Sequence, residues 1–271
     1  MVRYPFLAFL CFFIFSCGNS PEPPPERSPR EEAIATPASF KEDLPVYGTD
    51  FTVDYLMGKF DPAAHAAFVP LQAEHTNKSN VFLRRDTYES FQRMYQAALE
   101  DGVRLIIVSA TRNFNAQKGI WEAKWTGARL VEGGENLTET TPDPKERALK
   151  ILRYSSMPGT SRHHWGTDID LNSLNNAYFA EGEGKKIYDW LTANAADYGF
   201  CQPYTPKGEE RPYGYNEERW HWSYIPVAEQ LTTMAADQLT NDMISGFQGA
   251  ESAGLIDVVD KYVLGVNVAC L

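Results

Sequence analysis

One stretch of the sequence, residues 161–171, reads Ser-Arg-His-His-Trp-Gly-Thr-Asp-Ile-Asp-Leu. It contains two residues of types that bind metal ions, His163 and Asp170, seven positions apart. From Asp168 to Leu171 charged and apolar residues alternate, which is the pattern of a half-buried strand with one polar face. We therefore predict a strand that carries a metal site on its polar face.

A second cluster lies further along the chain, where residues 218–222 read Glu-Arg-Trp-His-Trp. Catalytic zinc is normally held by three protein side chains, with water in an open fourth position. His163, Asp170 and His221 form such a set, and we predict that they hold one zinc ion (Zn2+). Glu218 is then placed to act as the general base that takes a proton from the attacking water. Other divalent ions also accept histidine and carboxylate ligands, so these residues alone leave the metal open.

A helix and a strand precede these clusters. Residues 86–100 place apolar side chains on one helical face, with Asp86 as a candidate N-cap. The following run, Val103–Val108, is rich in β-branched residues and of strand length, and it leads to Arg112. A guanidinium beside a metal site can neutralise either the terminal carboxylate of a substrate or the oxyanion of the transition state. Both roles are open for Arg112.

These elements predict an α+β fold, in which a small antiparallel sheet carries the zinc site and helices flank the sheet. The catalytic domain is expected at residues 46–225, and residues 226–271 are expected to form a helical extension packed on it. The 43% hydrophobic content is ample for one buried core. Further patterns predict helices at residues 143–152, 185–198, 227–243 and 250–262, and a turn-rich hairpin at residues 204–215.

The N-terminal residues differ from the rest of the chain. Residues 6–15 form an apolar run that is typical of a signal peptide and short for a membrane span of about 20 residues. Residues 14–17, Ile-Phe-Ser-Cys, resemble a bacterial lipobox, so we predict a signal peptide at residues 1–17 and a lipid anchor on Cys17. Residues 18–45 are rich in Pro and Glu and are expected to be a tether. We expect an exported lipoprotein of the bacterial cell envelope, periplasmic or at the surface, with an ordinary secreted protein as the alternative.

Charge and cysteine content add two expectations. The formal net charge is −11, and the clustered Lys and Arg that nucleic-acid binding requires are missing, so we expect no nucleic-acid partner. Cys201 and Cys270 lie outside the predicted signal and anchor. In an oxidising compartment they are a possible disulfide, with two unrelated buried thiols as the alternative.

Taken together, the motifs resemble a known family. The pattern Ser-x-His-x-x-Gly-x-x-x-Asp at residues 161–170, followed by Glu-x-Trp-His at residues 218–221, is similar to that of the VanY-like D-alanyl-D-alanine carboxypeptidases. Residues 109–112, with Gln117 five positions later, look like the Ser-Gly-Tyr-Arg motif and the Gln of that family. The resemblance covers about residues 86–224. The wider group of zinc peptidases includes the vancomycin-resistance dipeptidases and shares a fold with the signalling domain of hedgehog proteins.

The resemblance implies a function and the roles of several residues. It implies zinc ligation by the three residues proposed above, catalysis by Glu218, and binding of the C-terminal carboxylate or carbonyl of the substrate by Arg112, Gln117 and Ser161. The implied reaction is removal of terminal D-alanine from peptidoglycan stem peptides. Related sites cut an L,D bond or an internal stem-peptide bond, and a non-catalytic wall-binding module is the alternative from another class.

Three positions depart from the family pattern or add to it. Asp168 stands where the family usually has Ala, and two residues from Asp170 on a strand it should face the same way, as a competing ligand or as a support for one. Arg219 replaces the usual Pro between Glu and Trp, which is expected to affect specificity. His164 should point away from His163 on an extended chain, so we expect it to lie outside the ligand set.

Overall fold

The computed structural model describes Met1 and residues 51–271. Apart from Met1, the predicted signal peptide, Cys17 and the predicted tether lie outside the described residues. Within residues 51–271, no helix combines the length and the apolar character that crossing a membrane requires.

Short strands form the sheet that carries the candidate site. The described strands are β1 (Phe68–Pro70), β2 (Phe82–Arg84), β3 (Ile107–Ser109), β4 (Asp168–Leu171), β5 (Phe200–Cys201) and β6 (His221–Tyr224). The main sheet is antiparallel, with its strands in the order β3, β4, β6, β5, while β1 and β2 form a separate antiparallel pair.

Helices surround the sheet. They are α1 (Val53–Leu56), α2 (Arg85–Glu100), α3 (Phe114–Trp125), α4 (Leu137–Thr140), α5 (Pro144–Ile151), α6 (Gly182–Asn194), α7 (Ile225–Gln238) and α8 (Ser252–Ile256). Short 3-10 turns lie at Glu132–Gly134, Arg162–His164, Asn176–Ala180, Ala195–Tyr198, Asn241–Met243 and Val268–Cys270, and a π-helical turn lies at Val259–Val263. The predicted α+β class with a small antiparallel sheet is confirmed.

The register of the sheet decides where the predicted ligands lie. Asp170 of β4 is paired with His221 of β6, and Asp168 is paired with Ser223. Side chains of directly opposed residues in an antiparallel pair project from the same face, with Cβ atoms about 5 Å apart. The pairing of two strands therefore places two of the predicted ligands side by side.

The strand predicted at residues 103–108 is shorter than expected. Only Ile107–Ser109 pair with β4, because the side chain of Asn172 occupies the position of a strand partner further upstream. Its Oδ1 accepts from the backbone N–H of Ile106 and its Nδ2 donates to the carbonyl of Arg104. Asn172 lies just after β4 with a φ of 59°, in the left-handed region, and this conformation ends the strand there.

The N-cap predicted for α2 is wrong by two positions. The helix begins at Arg85, and its cap residue Arg84 makes no side-chain cap hydrogen bond. Asp86 instead lies in the first turn, where its carboxylate accepts from the guanidinium of Arg84 at 2.8 and 3.1 Å and from the backbone N–H of Thr87. The buried guanidinium holds a carboxylate that would otherwise be free to cap the helix.

The hairpin predicted at residues 204–215 is also wrong, since no strand lies there. The side chain of Arg211 organises this segment from within. Its guanidinium donates to the carbonyls of Tyr213 at 2.8 Å, Tyr215 at 3.0 Å, and Thr205. These bonds satisfy carbonyl groups that a hairpin would have paired between strands.

The C-terminal segment packs on the same core as the sheet. Val227 and Leu231 of α7 are fully buried, and Phe247 packs edge-on against Trp121 of α3 at 5.8 Å between ring centroids. Near the end of the described chain, Cys270 forms a disulfide with Cys201 of β5 across a separation of 69 residues. The segment is thus attached to the edge strand of the main sheet.

Replacing both Cys201 and Cys270 by Ser should lower the free energy of unfolding by about 4 kcal/mol, because a loop of this length is no longer closed in the unfolded chain. The measurement is urea denaturation of the oxidised wild type, the reduced wild type and the double variant. The reduced wild type should match the double variant. Superimposable curves for the oxidised and reduced wild type would contradict a stabilising bond.

Candidate active site

Three buried side chains form a candidate metal centre. The ligand atoms of His163, Asp170 and His221 all lie within 4.8 Å of one another. Asp170 Oδ2 is 3.4 Å from Nε2 of His163, and Asp170 Oδ1 is 3.2 Å from Nδ1 of His221. A short 3-10 turn, β4 and β6 each contribute one of them. The structure therefore brings the three predicted ligands together.

The second nitrogen of each histidine is held by an acceptor. Nδ1 of His163 lies 2.9 Å from the carbonyl oxygen of Ala110, which can only accept, so Nδ1 carries the hydrogen and the lone pair of Nε2 faces Asp170. Nε2 of His221 lies 2.8 Å from Oδ2 of Asp168, and its Nδ1 faces Asp170. Such partners fix the orientation of ligating imidazoles.

The ligand atoms of His163, Asp170 and His221 that face one another require a cation between them. Asp170 Oδ1 is buried and accepts no hydrogen bond from the described residues, although Nδ1 of His221 is close by. Burial opposes a charge on His221, but contacts with Asp168, Asp170 and Glu218 raise the pKa of His221 well above its ordinary value. A proton or a metal ion is thus strongly favoured at Nδ1. Two imidazoles and one carboxylate are a normal set for zinc with an open fourth position, and they fit one zinc ion.

Glu218 lies beside this centre, with Oε2 3.2 Å from Nδ1 of His221. Both polar backbone groups of Glu218 are hydrogen bonded. Its N–H donates to the carbonyl of Tyr204 at 2.9 Å, and its carbonyl accepts from the side chain of Gln202 at 3.2 Å. Burial raises the pKa of the Glu218 carboxyl, and the neighbouring His221 partly offsets that rise. A carboxyl with a raised pKa suits a base that must accept a proton and return it near neutral pH.

Arg112 and Gln117 lie together on the other side of the centre. Nη1 of Arg112 is 3.8 Å from Oδ2 of Asp170, and Nε donates to Oε1 of Gln117 at 3.0 Å. Gln117 is buried on α3 and donates in turn to the carbonyl of Ser156 at 2.8 Å. The predicted pair is therefore one rigid unit, in which Gln117 orients the guanidinium toward the metal ligands.

Ser161 lines the same cleft with an unused hydroxyl. Its side chain is 1% exposed, and Oγ has no hydrogen-bond partner among the described residues. A buried hydroxyl without a partner costs free energy, which a bound ligand can recover. A serine in a loop often bonds to the backbone of its own loop, and the hydroxyl of Ser161 does not.

Asp168 supports a ligand and does not compete as one. Besides contacting Nε2 of His221, its carboxylate accepts from Thr167 at 2.7 Å, from Ser223 at 2.8 Å and from Nε of Arg162 at 3.2 Å. Burial opposes its charge, but Arg162 and His221 hold the pKa of Asp168 below its usual range. Asp168 and Asp170 do face the same way, as expected, on opposite sides of the His221 ring.

His164 lies outside the ligand set, as expected, but it is fully buried. Its Nδ1 is 2.6 Å from the carbonyl oxygen of Arg112, and its Nε2 accepts from the N–H of Gly159 at 3.0 Å. Burial lowers the pKa of His164 to about 3, so the ring is neutral. The His164 ring thus connects the segment before the 3-10 turn to the backbone of Arg112.

A cleft of about 590 Å³ opens over the centre. Sequence reasoning missed several of its residues, including Tyr204, whose ring is 4.7 Å from that of His221, and Tyr215, which packs against Tyr204. It also missed Lys124 in the wall and Arg162 beneath the site. A charged Arg162 next to a metal-ligand motif was the one available signal, because an arginine within a buried segment needs a carboxylate partner.

Comparison with known families decides the assignment. Residues 80–227, more than half of the chain, match the family described as VanY, D-alanyl-D-alanine carboxypeptidase. The chain belongs to the VanY family. Arg219, a departure from the VanY pattern, pairs with Glu217 at 3.0 Å and lies over the ring of Tyr188, and it is not among the residues that line the cleft.

Relatives of this VanY chain are distant. "Putative carboxypeptidase YodJ" of Bacillus subtilis is 28% identical over 150 residues, which cover 53% of this chain and 46% of that protein. A D-alanyl-D-alanine carboxypeptidase of Enterococcus faecalis is 28% identical over 152 residues, which cover 56% and 51%. The chain spans about half the length of the curated relatives it matches. Among solved structures, VanYB in complex with D-alanine-D-alanine is 22% identical, with a TM-score of 0.47 and coverage of 66% of this chain and 87% of that chain.

Changing Asp168 to Ala should weaken zinc binding by roughly 10- to 100-fold, because His221 loses the acceptor that orients its ring. Competition with a chromophoric chelator measures the zinc affinity. The matched control is Asp197→Ala, which removes an exposed carboxylate. Equal zinc affinity for both variants would show that the Asp168 carboxylate does not orient His221.

Proposed function

We propose that this protein is a zinc-dependent D,D-carboxypeptidase that removes the terminal D-alanine from peptidoglycan stem peptides. The observation that carries the proposal is the position of Glu218, a buried carboxylate 3.2 Å from the Nδ1 of His221 that faces the metal centre. A binding module has no need of a base at that place. Membership of the VanY family supports the same reaction.

In the proposed hydrolysis, each of a few side chains has one role. Zinc, when bound, polarises the scissile carbonyl and makes water a stronger nucleophile. Glu218 accepts the proton of the attacking water and delivers it to the nitrogen of the departing amine. Arg112 places positive charge where the carbonyl oxygen becomes negative. Gln117 holds the guanidinium in place, and the hydroxyl of Ser161 is available to bind the substrate.

The same site chemistry would serve an L,D-carboxypeptidase or a stem-peptide endopeptidase, since these reactions differ in which residues flank the bond. The D,D activity is preferred because it is the activity by which the family is described. The non-catalytic wall-binding module is disfavoured by the complete set of metal ligands, base and guanidinium.

Glu218→Gln should lower kcat by about 10²- to 10⁴-fold, because the variant keeps the shape of the side chain and loses its basicity. Mass spectrometry of a disaccharide pentapeptide, incubated with the zinc-loaded protein, follows the loss of one alanine. Zinc content should be unchanged. The control Glu209→Gln alters an exposed glutamate and should keep full activity.

Several outcomes would overturn the proposed reaction. An intact pentapeptide with wild-type protein rejects the D,D activity, and cleavage of a tetrapeptide or of a cross-linked dimer would then identify the L,D-carboxypeptidase or the endopeptidase. Wild-type activity in Glu218→Gln would reject the proposed base. If all three substrates stay intact while the protein binds peptidoglycan, the wall-binding module is the better description.

We also propose that the protein is anchored to a membrane of the bacterial cell envelope through lipid on Cys17. The support is the lipobox-like sequence at residues 14–17 after an apolar run. Changing Cys17 to Ser should move the protein from the membrane pellet to the soluble fraction and should abolish incorporation of labelled palmitate. Cys11→Ser, which alters the apolar run, is the matched control, and labelling that persists in Cys17→Ser would reject the anchor.

A further inference from the structure

Lys124 is a cation of the cleft that the reaction described above does not use. It lies on α3 seven residues after Gln117, about two helical turns along the same wall. The Lys124 ammonium contacts Ser155, the residue before Ser156, whose carbonyl accepts from Gln117, so both side chains reach the same segment of the cleft. The only side-chain partner of Lys124 among residues 51–271 is the hydroxyl of Ser155.

Other lysines of this region have acidic partners. Lys118, on the same helix, is 3.8 Å from a carboxylate oxygen of Glu122, and Lys150 is 2.5 Å from one of Glu135. No carboxylate oxygen of the described residues lies within 4.0 Å of Lys124. A cation that lies in a substrate cleft and bonds only to a hydroxyl can still accept an anionic partner.

The surroundings of Lys124 favour such an anion. Burial, together with the positive charges of Arg129 and Arg112, lowers the pKa of Lys124 to about 8, and Glu218 partly offsets this effect. The ammonium is still largely charged at neutral pH. Three cations thus face this part of the cleft, and an anion placed among them would relieve their repulsion.

Because of where Arg112 lies, the terminal carboxylate of the substrate needs a second cation, which Lys124 can supply. Arg112 is fixed to Gln117 and lies against Asp170, next to the point where the carbonyl oxygen becomes negative. In a peptide with one residue after the scissile bond, the carbon of the terminal carboxylate lies only about 3 to 4 Å beyond the carbonyl carbon. A second cation further along the same wall could reach that carboxylate while Arg112 serves the oxyanion.

We propose that Lys124, with Ser155 beside it, binds the free C-terminal carboxylate of the substrate, and that this contact makes the enzyme a carboxypeptidase. The inference rests on the proposed function, because it assigns a role within the same cleft. The sequence leaves two roles open for Arg112, binding of the terminal carboxylate and stabilisation of the oxyanion. The proposal assigns the second of these roles to Arg112.

The test uses the zinc-loaded full chain and two forms of an N-acylated D-alanyl-D-alanine peptide, the free acid and the C-terminal amide. Lys124→Met keeps the length of the side chain and removes its charge. A charge-assisted hydrogen bond contributes roughly 10- to 100-fold to binding. KM for the acid should rise by that factor, kcat should change much less, and kcat/KM for the amide should stay the same.

Two further variants separate charge from structure. Lys124→Arg should restore most of the preference for the acid, and Lys118→Met, on the same helix, should leave it unchanged. A merely structural role for Lys124 would affect acid and amide alike, so an unchanged ratio of the two kcat/KM values in Lys124→Met overturns the proposal.

Calorimetric titration with the same two ligands is made in the Glu218→Gln background, with Lys124 present or changed to Met, so the peptide is not hydrolysed and each affinity reports the site with or without the Lys124 charge. If the form with Lys124 prefers the acid and the Lys124→Met form does not, while the wild type leaves the peptide intact, the carboxylate site stands and the proposed D,D activity fails. If the wild type cleaves the peptide but the form with Lys124 binds acid and amide equally, the D,D activity stands and the carboxylate site fails.

Discussion

The pairing of β4 with β6 is the constraint on which the site depends. Asp170 and His221 are directly opposed in this pairing, so their side chains share one face. A shift of one residue would turn one of them to the other face, because the side-chain period of a strand is two. The register is secured by apolar residues, since Ile169 and Trp222, which alternate with the polar residues, are also opposed and buried.

Below the metal ligands lies a buried ion network. Arg162 donates to Asp168, to Ser223 at 2.8 Å and to Thr232 of α7 at 2.9 Å, and its guanidinium lies over the ring of Trp165. Burying two charges is costly unless their remaining hydrogen-bonding groups are satisfied. Here several of those groups have partners, and the network fixes the His221 ring from the side opposite to the cleft. The burial of these charges costs folding free energy, and it holds the His221 ring in one orientation.

Much of the site could be predicted because its residues lie in two short motifs. His163 and Asp170 are close in sequence, and Glu218 and His221 are closer, so residue type and spacing sufficed. The extent of β3 could not be predicted, because it depends on Asn172, a residue distant in sequence that adopts a positive φ. The role of Asp168 required knowing which side of the His221 ring it contacts, and that is a property of the packed sheet.

The C-terminal segment also fastens the wall of the cleft. Asn267 donates its backbone N–H to the carbonyl of Pro203 at 2.8 Å, and the ring of Tyr262 packs against Tyr215 at 5.2 Å. With the bond between Cys201 and Cys270, these contacts hold the segment that leads to Glu218. The position of Glu218 therefore depends on residues about fifty positions later in the chain as well as on the sheet.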